Sequence, residues 1–440
     1  MGPRYDSAVR RRRQRGLARL PTGSSRRAAG LAAVAVVGAG GIVVLLRWRL
    51  WNSGVPDVDP APLTDWFDPD ELARNRDYRR GLWTMAVIGA PLGAAAAVGV
   101  ALVGSRWRLP LVGAARARPW RAGALFGAGL AVVTTAVVLP LSVARYAWGR
   151  DYGIVTQSVP GWLLDHAKGL GIQMLITAGI GAGVAVAIAR APRWWWAIVG
   201  VGFGALIYTL TVLSPLLIEP VFQKTEPLRD RELSAQVLEL ADRAGVEADD
   251  VKVNDASSRT STANAYVSGF GGSRHIVLYD TLLRDFPRDQ VRMVVAHELA
   301  HVERRHILKA ATWGAALVIP AALLTFAVVG WRTGFDAPRR GSEGTALVVR
   351  RLAIAAASAA VIGALSHPLV TWVSRAYERE AEWRGLAISR DPDAAIGLQQ
   401  GFVRRGLGVP DPPEPIRVWF GTHPTALERI GMALHAQGKG

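Results

Sequence analysis

The stretch AGLAAVAVVGAGGIVVLL, residues 29 to 46, contains only apolar residues and glycine. A helix needs about 20 such residues to cross the hydrocarbon core of a bilayer. The stretch could instead be a signal peptide, but RWRLW follows it and no small-residue cleavage site is present. We therefore interpret it as an uncleaved membrane anchor. The fold class then depends on how many similar blocks the chain contains.

Six further apolar blocks follow, and half of the 440 residues are hydrophobic. They lie at about 82–104, 122–143, 169–190, 194–218, 310–331 and 352–373. Their number and length favour membrane spans over the buried helices of a soluble core. The sequence thus predicts a mainly α, polytopic α-helical membrane protein with about seven transmembrane helices and a small α+β domain.

The apolar blocks divide the chain into five segments. These are a basic disordered tail (1–28), a five-span region (29–218), a polar segment (219–306), two further spans (307–373) and a second polar segment (374–440). An even pair of spans separates the two polar segments, so they share one side of the membrane. The distribution of arginines leaves open which side this is.

Charge and composition limit the classes of molecule that the protein is expected to bind. The formal net charge is +17, and the basic residues crowd the N-terminal tail and the flanks of the apolar blocks. This pattern is typical of contact with lipid headgroups, so the bilayer is an expected partner and nucleic acid is not. The absence of cysteine excludes disulfides and thiolate ligands. Abundant Ala, Gly and Arg suggest a GC-rich bacterial genome, and hence the bacterial plasma membrane.

The stretch VVAHELAHV, residues 294 to 302, is the candidate catalytic motif. His297 and His301 are four positions apart, so on a helix both imidazoles leave the same face. Neutral imidazole is a good zinc ligand, and Glu298 is placed to act as general base toward a water on the metal. The alternative is a pair of partly exposed helix histidines beside a chance glutamate.

A catalytic zinc takes three protein ligands, so a third must come from elsewhere. His306, five residues after His301, is predicted to lie off the face on the helix surface. The segment SRAYEREAEWRGL places Glu378 and Glu382 on one helix face, where one could bind zinc and the other could orient a ligand histidine. Glu380 is predicted to face solvent. The alternative is a charged juxtamembrane helix whose arginines (Arg375, Arg379 and Arg384) pair with these glutamates.

With these motifs, the chain resembles the integral-membrane zinc metalloproteases that include type I CAAX prenyl protease and, more distantly, the heat-shock protease HtpX. SRAYEREAE is similar to that family's Ser-Arg-x-x-Glu-x-x-Ala-Asp segment. The resemblance implies that Glu378 is the third zinc ligand, with one Zn²⁺ per chain. It also implies that Glu382 takes the place of the family's catalytic or orienting Asp.

Two further segments carry the resemblance. NAYVSGFGGSRHIVLYDTLL, starting at Asn264, predicts a strand, a glycine turn and a second strand, whose exposed edge could hold an extended peptide with Asn264 near the scissile bond. FGTHPTALERI resembles a family His-Pro…Arg motif. It implies that His423 stabilises the oxyanion and that Arg429 contacts the substrate. Tyr266 and Tyr279 are interpreted as ordinary hairpin residues.

The sequence therefore predicts a membrane zinc endopeptidase that resembles CAAX prenyl protease and cuts a peptide or membrane-protein substrate near the bilayer. One alternative is an HtpX-like enzyme of membrane-protein quality control. A second, from another class, is a non-catalytic membrane scaffold with a structural zinc. A third, suggested by the span count alone, is a transporter. Glu298 argues against the scaffold, since a structural site needs no base, and the scarcity of charges within spans argues against the transporter.

Overall fold

The structure is a computed structural model that describes residues 22–51, 54–269, 271 and 274–438. Most of the predicted disordered tail, residues 1–21, lies outside the described residues. Residues 22–28, which the sequence assigns to that tail, belong to the first helix.

Seven helices in the described part of the chain are long and apolar enough to cross a membrane, which confirms the predicted number. They are α1 (Thr22–Trp51), α3 (Leu72–Leu102), α5 (Pro119–Asp151), α6 (Val159–Arg190), α7 (Trp195–Leu217), α12 (His306–Thr333) and α13 (Ser342–Ser389). Two short helices, α2 (Leu63–Trp66) and α4 (Gly104–Ala114), lie among them. Several spans begin earlier or end later than predicted, because hydropathy marks only the apolar part of a helix and not its polar turns.

Helices α5 and α6 pack together at an unusually close approach. A Cβ atom on Gly123 would lie 2.1 Å from the carbonyl oxygen of Gly181, and one on Gly127 would lie 2.0 Å from that of Thr177. Both distances are far inside van der Waals contact, so only glycine fits. Small residues of this kind let two membrane helices bring their backbones together.

The polar segment after α7 folds into a small sheet. After the short helix α8 (Glu219–Phe222), the segment forms four strands, β1 (Thr225–Pro227), β2 (Asp250–Asn254), β3 (Ala265–Ser268) and β4 (His275–Tyr279), with helix α9 (Arg231–Arg243) between β1 and β2. The strand order is β1-β2-β4-β3, with β2 and β4 parallel and the other pairs antiparallel. The predicted β3–β4 hairpin is confirmed, and β3 lies at an edge of the described sheet.

Five more helices lie in the two polar segments. They are α10 (Asp280–Asp285), α11 (Arg288–Glu303), α14 (Pro392–Arg405), α15 (Glu414–Phe420) and α16 (Ala426–Ala436). Helix α11 carries the HELAH motif and packs against α13. Val295 and Leu299 on α11 are fully buried in the same apolar core as Ile276 and Leu278 of β4. The core therefore fixes the helix that presents the histidines.

Helix α13 joins the membrane to the second polar segment without a break. It runs for 48 residues through Pro368 and contains the whole SRAYEREAEWRGL segment. At a rise of 1.5 Å per residue it is about 72 Å long. The predicted division between 307–373 and 374–440 thus falls inside a single helix.

A tight turn separates α11 from α12. Helix α11 ends at Glu303, and α12 begins at His306. Between them, Arg305 has φ of 54° and ψ of 40°, in the left-handed region. A left-handed residue at a helix end stops the helix and redirects the chain. His306 is therefore the first residue of the sixth span and not a continuation of the HELAH helix.

Candidate active site

Three predicted ligands converge where α11 meets α13. Nε2 of His297 lies 3.1 Å from Oε2 of Glu378 and 3.2 Å from Nε2 of His301. Nε2 of His301 lies 3.5 Å from Oε1 of Glu378. The structure thus brings together three side chains that could hold a metal ion, from segments about eighty residues apart.

The spacing of these donor atoms fits zinc. A tetrahedral zinc with bonds of about 2.0 to 2.1 Å holds its ligand atoms about 3.3 to 3.4 Å from one another. The two imidazole nitrogens are 3.2 Å apart, and each faces a different oxygen of Glu378, His297 at 3.1 Å from Oε2 and His301 at 3.5 Å from Oε1, so each of these separations is close to that value. Two imidazole nitrogens and one carboxylate oxygen also form a common donor set of catalytic zinc sites.

Glu298 lies beside the first histidine and is partly buried. Burial raises the pKa of its carboxyl, and the nearby His297 and His301 oppose this rise. A general base works best when its pKa approaches the working pH, so the shift is in the useful direction. Burial alone would lower the pKa of His297, but the carboxylates of Glu378 and Glu382 outweigh it and raise that pKa to about 9. A metal ion must therefore displace a proton from this ring.

Glu382 lies behind the first histidine. Its side chain is fully buried, and Oε2 is 3.2 Å from Nδ1 of His297. Arg429 donates to the same oxygen from Nε at 2.8 Å and contacts it from Nη2 at 2.6 Å. The carboxylate can therefore hold the His297 ring so that Nε2 points toward Glu378, while Arg429 neutralises its charge.

His423 approaches the site from the loop before α16. Its Nε2 lies 3.2 Å from Oε2 of Glu378, and Thr422 contacts its Nδ1 at 2.9 Å. The His423 side chain is more than half exposed. The structure thus places this residue beside the candidate metal ligands on a side open to solvent, where a substrate could approach.

Asn264 immediately precedes the edge strand β3 and is exposed. Its carbonyl oxygen accepts a hydrogen bond from the Tyr279 backbone N–H at 3.0 Å. Tyr266, two residues on, has its hydroxyl 2.6 Å from Oε1 of Glu219 and 2.6 Å from Oε1 of Gln223. These contacts tie the hairpin to α8, in agreement with the interpretation of Tyr266 as a structural residue.

The arginines of the SRAYEREAEWRGL segment have other partners than Glu378. Arg384 forms an ion pair with Glu303, with a closest N–O distance of 2.6 Å. Arg375 donates to backbone carbonyl oxygens, and Arg379 lies 3.5 Å from a carboxylate oxygen of Asp57. The alternative of a solvated juxtamembrane helix therefore does not describe Glu378, which faces the histidines.

Two predictions from helix geometry are wrong. The sequence places His306 on a helix surface and Glu380 toward solvent, yet they are 3% and 5% exposed. Their side chains contact each other, with Nε2 of His306 3.2 Å from Oε2 of Glu380. The error for His306 arises at Arg305, where the helix stops. Glu380 is buried because α12 packs against the side of α13 that the spacing rule assigns to water.

The fold and the site define a membrane-embedded protein with a candidate metallopeptidase centre. The family model described as Peptidase family M48 matches residues 227–437. The model described as CAAX prenyl protease N-terminal, five membrane helices, matches residues 55–224. The chain belongs to this family of membrane metalloproteases, and the predicted fold class and the predicted class of enzyme are confirmed.

Individual relatives agree with this. The chain is 29% identical over 313 residues to the uncharacterized metalloprotease YhfN of Bacillus subtilis, covering 68% of this chain and 70% of that protein. It is 34% identical over 182 residues to CAAX prenyl protease 1 of Saccharomyces cerevisiae, covering 41% of this chain and only 40% of that protein. Among solved structures, Ste24p of S. mikatae has a similar fold, with a TM-score of 0.69 at 20% identity, covering 92% of this chain and 97% of that chain.

Proposed function

We propose that this multi-pass membrane metalloprotease is a zinc endopeptidase with one Zn²⁺ per chain, held by His297, His301 and Glu378. The observation that carries the proposal is the convergence of these three side chains, with the two imidazole nitrogens 3.2 Å apart and each within 3.5 Å of an oxygen of Glu378. Glu298, on the same helix, supplies a general base, which a purely structural zinc site does not need.

The proposed chemistry follows from the side chains around these donors. A bound zinc ion supplies a Lewis acid that polarises the scissile carbonyl and lowers the pKa of a water molecule. Glu298 takes the proton from the attacking water and returns it to the leaving amine, aided by the raised pKa of its carboxyl. His423, half-exposed beside Glu378, donates a hydrogen bond to the carbonyl oxygen as negative charge develops there.

The remaining predicted residues support this chemistry from further away. Glu382 holds His297 and acts on the reaction through that ring. Arg429 is 11% exposed at its side chain and directs two nitrogens at Glu382, which favours a positioning role over the predicted direct contact with substrate. Asn264 lies at the start of the edge strand, where an extended substrate could pair with β3 and reach the site.

The substrate we propose is an extended peptide segment presented at the membrane surface. The site residue Glu378 lies on the helix that forms the seventh span, so the reaction takes place next to the bilayer. The yeast relative is named a CAAX prenyl protease, but the match spans less than half of it. The Bacillus relative and the composition favour a bacterial plasma membrane, where segments of membrane proteins are the more available substrates.

The test is cleavage by the detergent-purified full chain. Wild type is compared with Glu298→Gln on an unstructured protein and on a prenylated CAAX peptide. The variant should bind zinc as the wild type does and lose about 10²- to 10⁴-fold in rate, since only the base is removed. Glu303→Gln makes the same chemical change at the end of the same helix and should leave cleavage unchanged.

Either substrate, cut by a chelator-sensitive activity that Glu298→Gln lacks, supports the proposal, and the preferred one identifies the substrate class. Equal cleavage by Glu298→Gln and wild type would refute the role of Glu298. Zinc bound in wild type without cleavage of either substrate or of a panel of membrane-protein segments would favour the scaffold instead.

A further inference from the structure

The second ligand histidine has a buried partner that neither the motif nor the proposed chemistry uses. Nδ1 of His301 lies 3.0 Å from Nδ1 of His306, while Nε2 of His301 faces His297 and Glu378. The other nitrogen of His306 lies 3.2 Å from Glu380. The carboxylate of Glu380 also accepts a hydrogen bond from Nε of Arg304. Four side chains thus form one continuous chain of contacts that begins at the candidate metal site.

The positions of the protons along this chain follow from which nitrogen of each imidazole must donate and which must accept. If His301 offers the lone pair of Nε2 to a metal, its proton is on Nδ1. That N–H can donate to Nδ1 of His306 only if His306 carries its own proton on Nε2. His306 then donates from Nε2 to Glu380, which as a carboxylate only accepts. Each contact has one donor and one acceptor, so a single tautomer satisfies the whole chain.

The burial of this chain is costly and needs a reason. His306 and Glu380 are 3% and 5% exposed, in a region where a carboxylate without partners would be strongly destabilising. Apolar side chains at both positions could fill the space without that penalty. Tyr377 holds the imidazole of His306 in place by stacking on it, with ring centroids 4.8 Å apart and planes 20° apart. The ring orientation is therefore set by packing as well as by hydrogen bonds.

We propose that His306 and Glu380 are positioning residues that fix His301 for metal binding. His306 accepts from Nδ1–H of His301, and Glu380 orients and polarises His306 in turn. The carboxylate acts through the intervening imidazole to hold His301 in the tautomer that presents Nε2 and to increase its basicity. The inference rests on the proposed zinc site, and it assigns a task to two residues that are not among its three proposed ligands.

Two variants of His306 separate the hydrogen bond from the packing. His306→Phe keeps a ring to stack on Tyr377 but has no acceptor for His301. His306→Asn gives up the ring but keeps an acceptor oxygen the same number of bonds from Cβ as Nδ1. The measurement is the affinity of the full chain in detergent for Zn²⁺, by competition with a chelator. The spectrum of the Co²⁺-substituted protein reports the geometry of the ligands.

We expect His306→Phe to bind Zn²⁺ about 10- to 100-fold more weakly than wild type and to change the Co²⁺ spectrum. His306→Asn should recover much of the loss. Glu380→Gln, which keeps the shape and removes the charge, should have an affinity between those of wild type and His306→Phe. The matched control is Glu303→Gln, which removes the ion pair between Glu303 on α11 and Arg384 on α13 but does not alter the contacts of His301. This variant should bind Zn²⁺ as tightly as wild type.

Wild-type affinity and spectrum in His306→Phe would overturn the positioning role, as would an equal loss in His306→Asn and His306→Phe. A Zn²⁺ loss in Glu303→Gln as large as in Glu380→Gln would show that the contacts only tether the helices. Thermal unfolding of the zinc-free proteins identifies a variant that fails to fold, and Glu380→Gln then decides the question. Failure of the proposed function is distinct, because it would appear as absent zinc or absent cleavage in wild type.

Discussion

The two histidines proposed as zinc ligands lie four residues apart on one helix, yet the structure supports them differently. Behind His297, the carboxylate of Glu382 lies directly against the ring, at 3.2 Å. Behind His301, the carboxylate of Glu380 acts through a second imidazole, that of His306. The direct support comes from α13 alone, whereas the indirect one also uses the first residue of the sixth span. The proposed metal site is therefore in contact with two membrane helices, α12 and α13.

The counter-charges of the two supports also differ. Glu382 is fully buried, and its partner Arg429 is nearly so. Glu380 is paired with Arg304, whose side chain is 40% exposed, and with His306. The loss of a buried arginine beside a buried carboxylate costs more than the loss of a partly exposed one, whose charge is already screened by solvent. The comparison therefore predicts unequal responses to mutation.

The largest effect is expected where the two supports meet. Glu378 contacts both histidines, so Glu378→Ala removes a proposed zinc ligand. Neither Glu382 nor Glu380 can replace it, because both lie behind the histidines. We expect zinc occupancy to be lost at metal concentrations that saturate wild type, as measured by metal analysis after gel filtration. Full occupancy in this variant would contradict the assignment of Glu378 as third ligand.

Removal of the arginine from each support sharpens the comparison. Arg429→Ala leaves the buried Glu382 without its arginine and should cost about 3–5 kcal/mol of stability. Arg304→Ala should cost much less, because Glu380 keeps His306 and the lost charge is partly solvated. Thermal unfolding of the metal-free variants in one detergent measures both. An equal loss of stability in the two variants would mean that the different burial of Arg429 and Arg304 does not affect their contributions.

A smaller effect is expected when the direct support is shortened. Glu382→Asp restores the residue type of the family motif but draws the carboxylate away from His297 on a backbone that accommodates glutamate. We expect about tenfold weaker zinc binding, since the contact that supports His297 is lengthened and no proposed ligand is lost. Chelator competition checks this. Tighter binding than wild type would show instead that glutamate is the poorer fit.

The smallest effect is expected outside both supports. Tyr266→Phe removes a hydroxyl contact that holds the β3 hairpin against Glu219. The loss should be about 1 kcal/mol of stability, the usual net value of one hydrogen bond, with zinc affinity unchanged. Urea unfolding and chelator competition on the same preparation measure both. A change in zinc affinity would show that contacts of the sheet also influence the proposed metal site.

The sequence predicts the parts of this architecture that periodicity and motif spacing control. Seven apolar blocks correspond to seven helices, and HELAH places two imidazoles on one face. The burial of His306 and Glu380 escapes prediction because it depends on a turn and on helix packing. A single residue, Arg305, takes a left-handed conformation that its side chain does not indicate. In the sequence, the signal for burial of His306 and Glu380 is that neither residue has an obvious role on the surface.

The ends of the spans escape prediction for a related reason. Polar turns continue α3 and α13 well beyond their apolar blocks, since arginine, glutamate and alanine are good helix formers. The position of Glu378 relative to the histidines also could not be obtained from spacing, because it depends on how α13 packs against α11. The family resemblance identified the residue, and the structure places it beside the histidines.

The unbroken helix α13 has a mechanical consequence. One continuous helix forms the seventh span along its first part and carries Glu378 further on. A rotation of the span about its own axis swings that carboxylate sideways with respect to α11, and a change of tilt lifts or lowers it. Changes in bilayer thickness or lateral pressure that rotate or tilt this span would therefore move the carboxylate of Glu378. The rate of hydrolysis would then respond to the lipids around the enzyme.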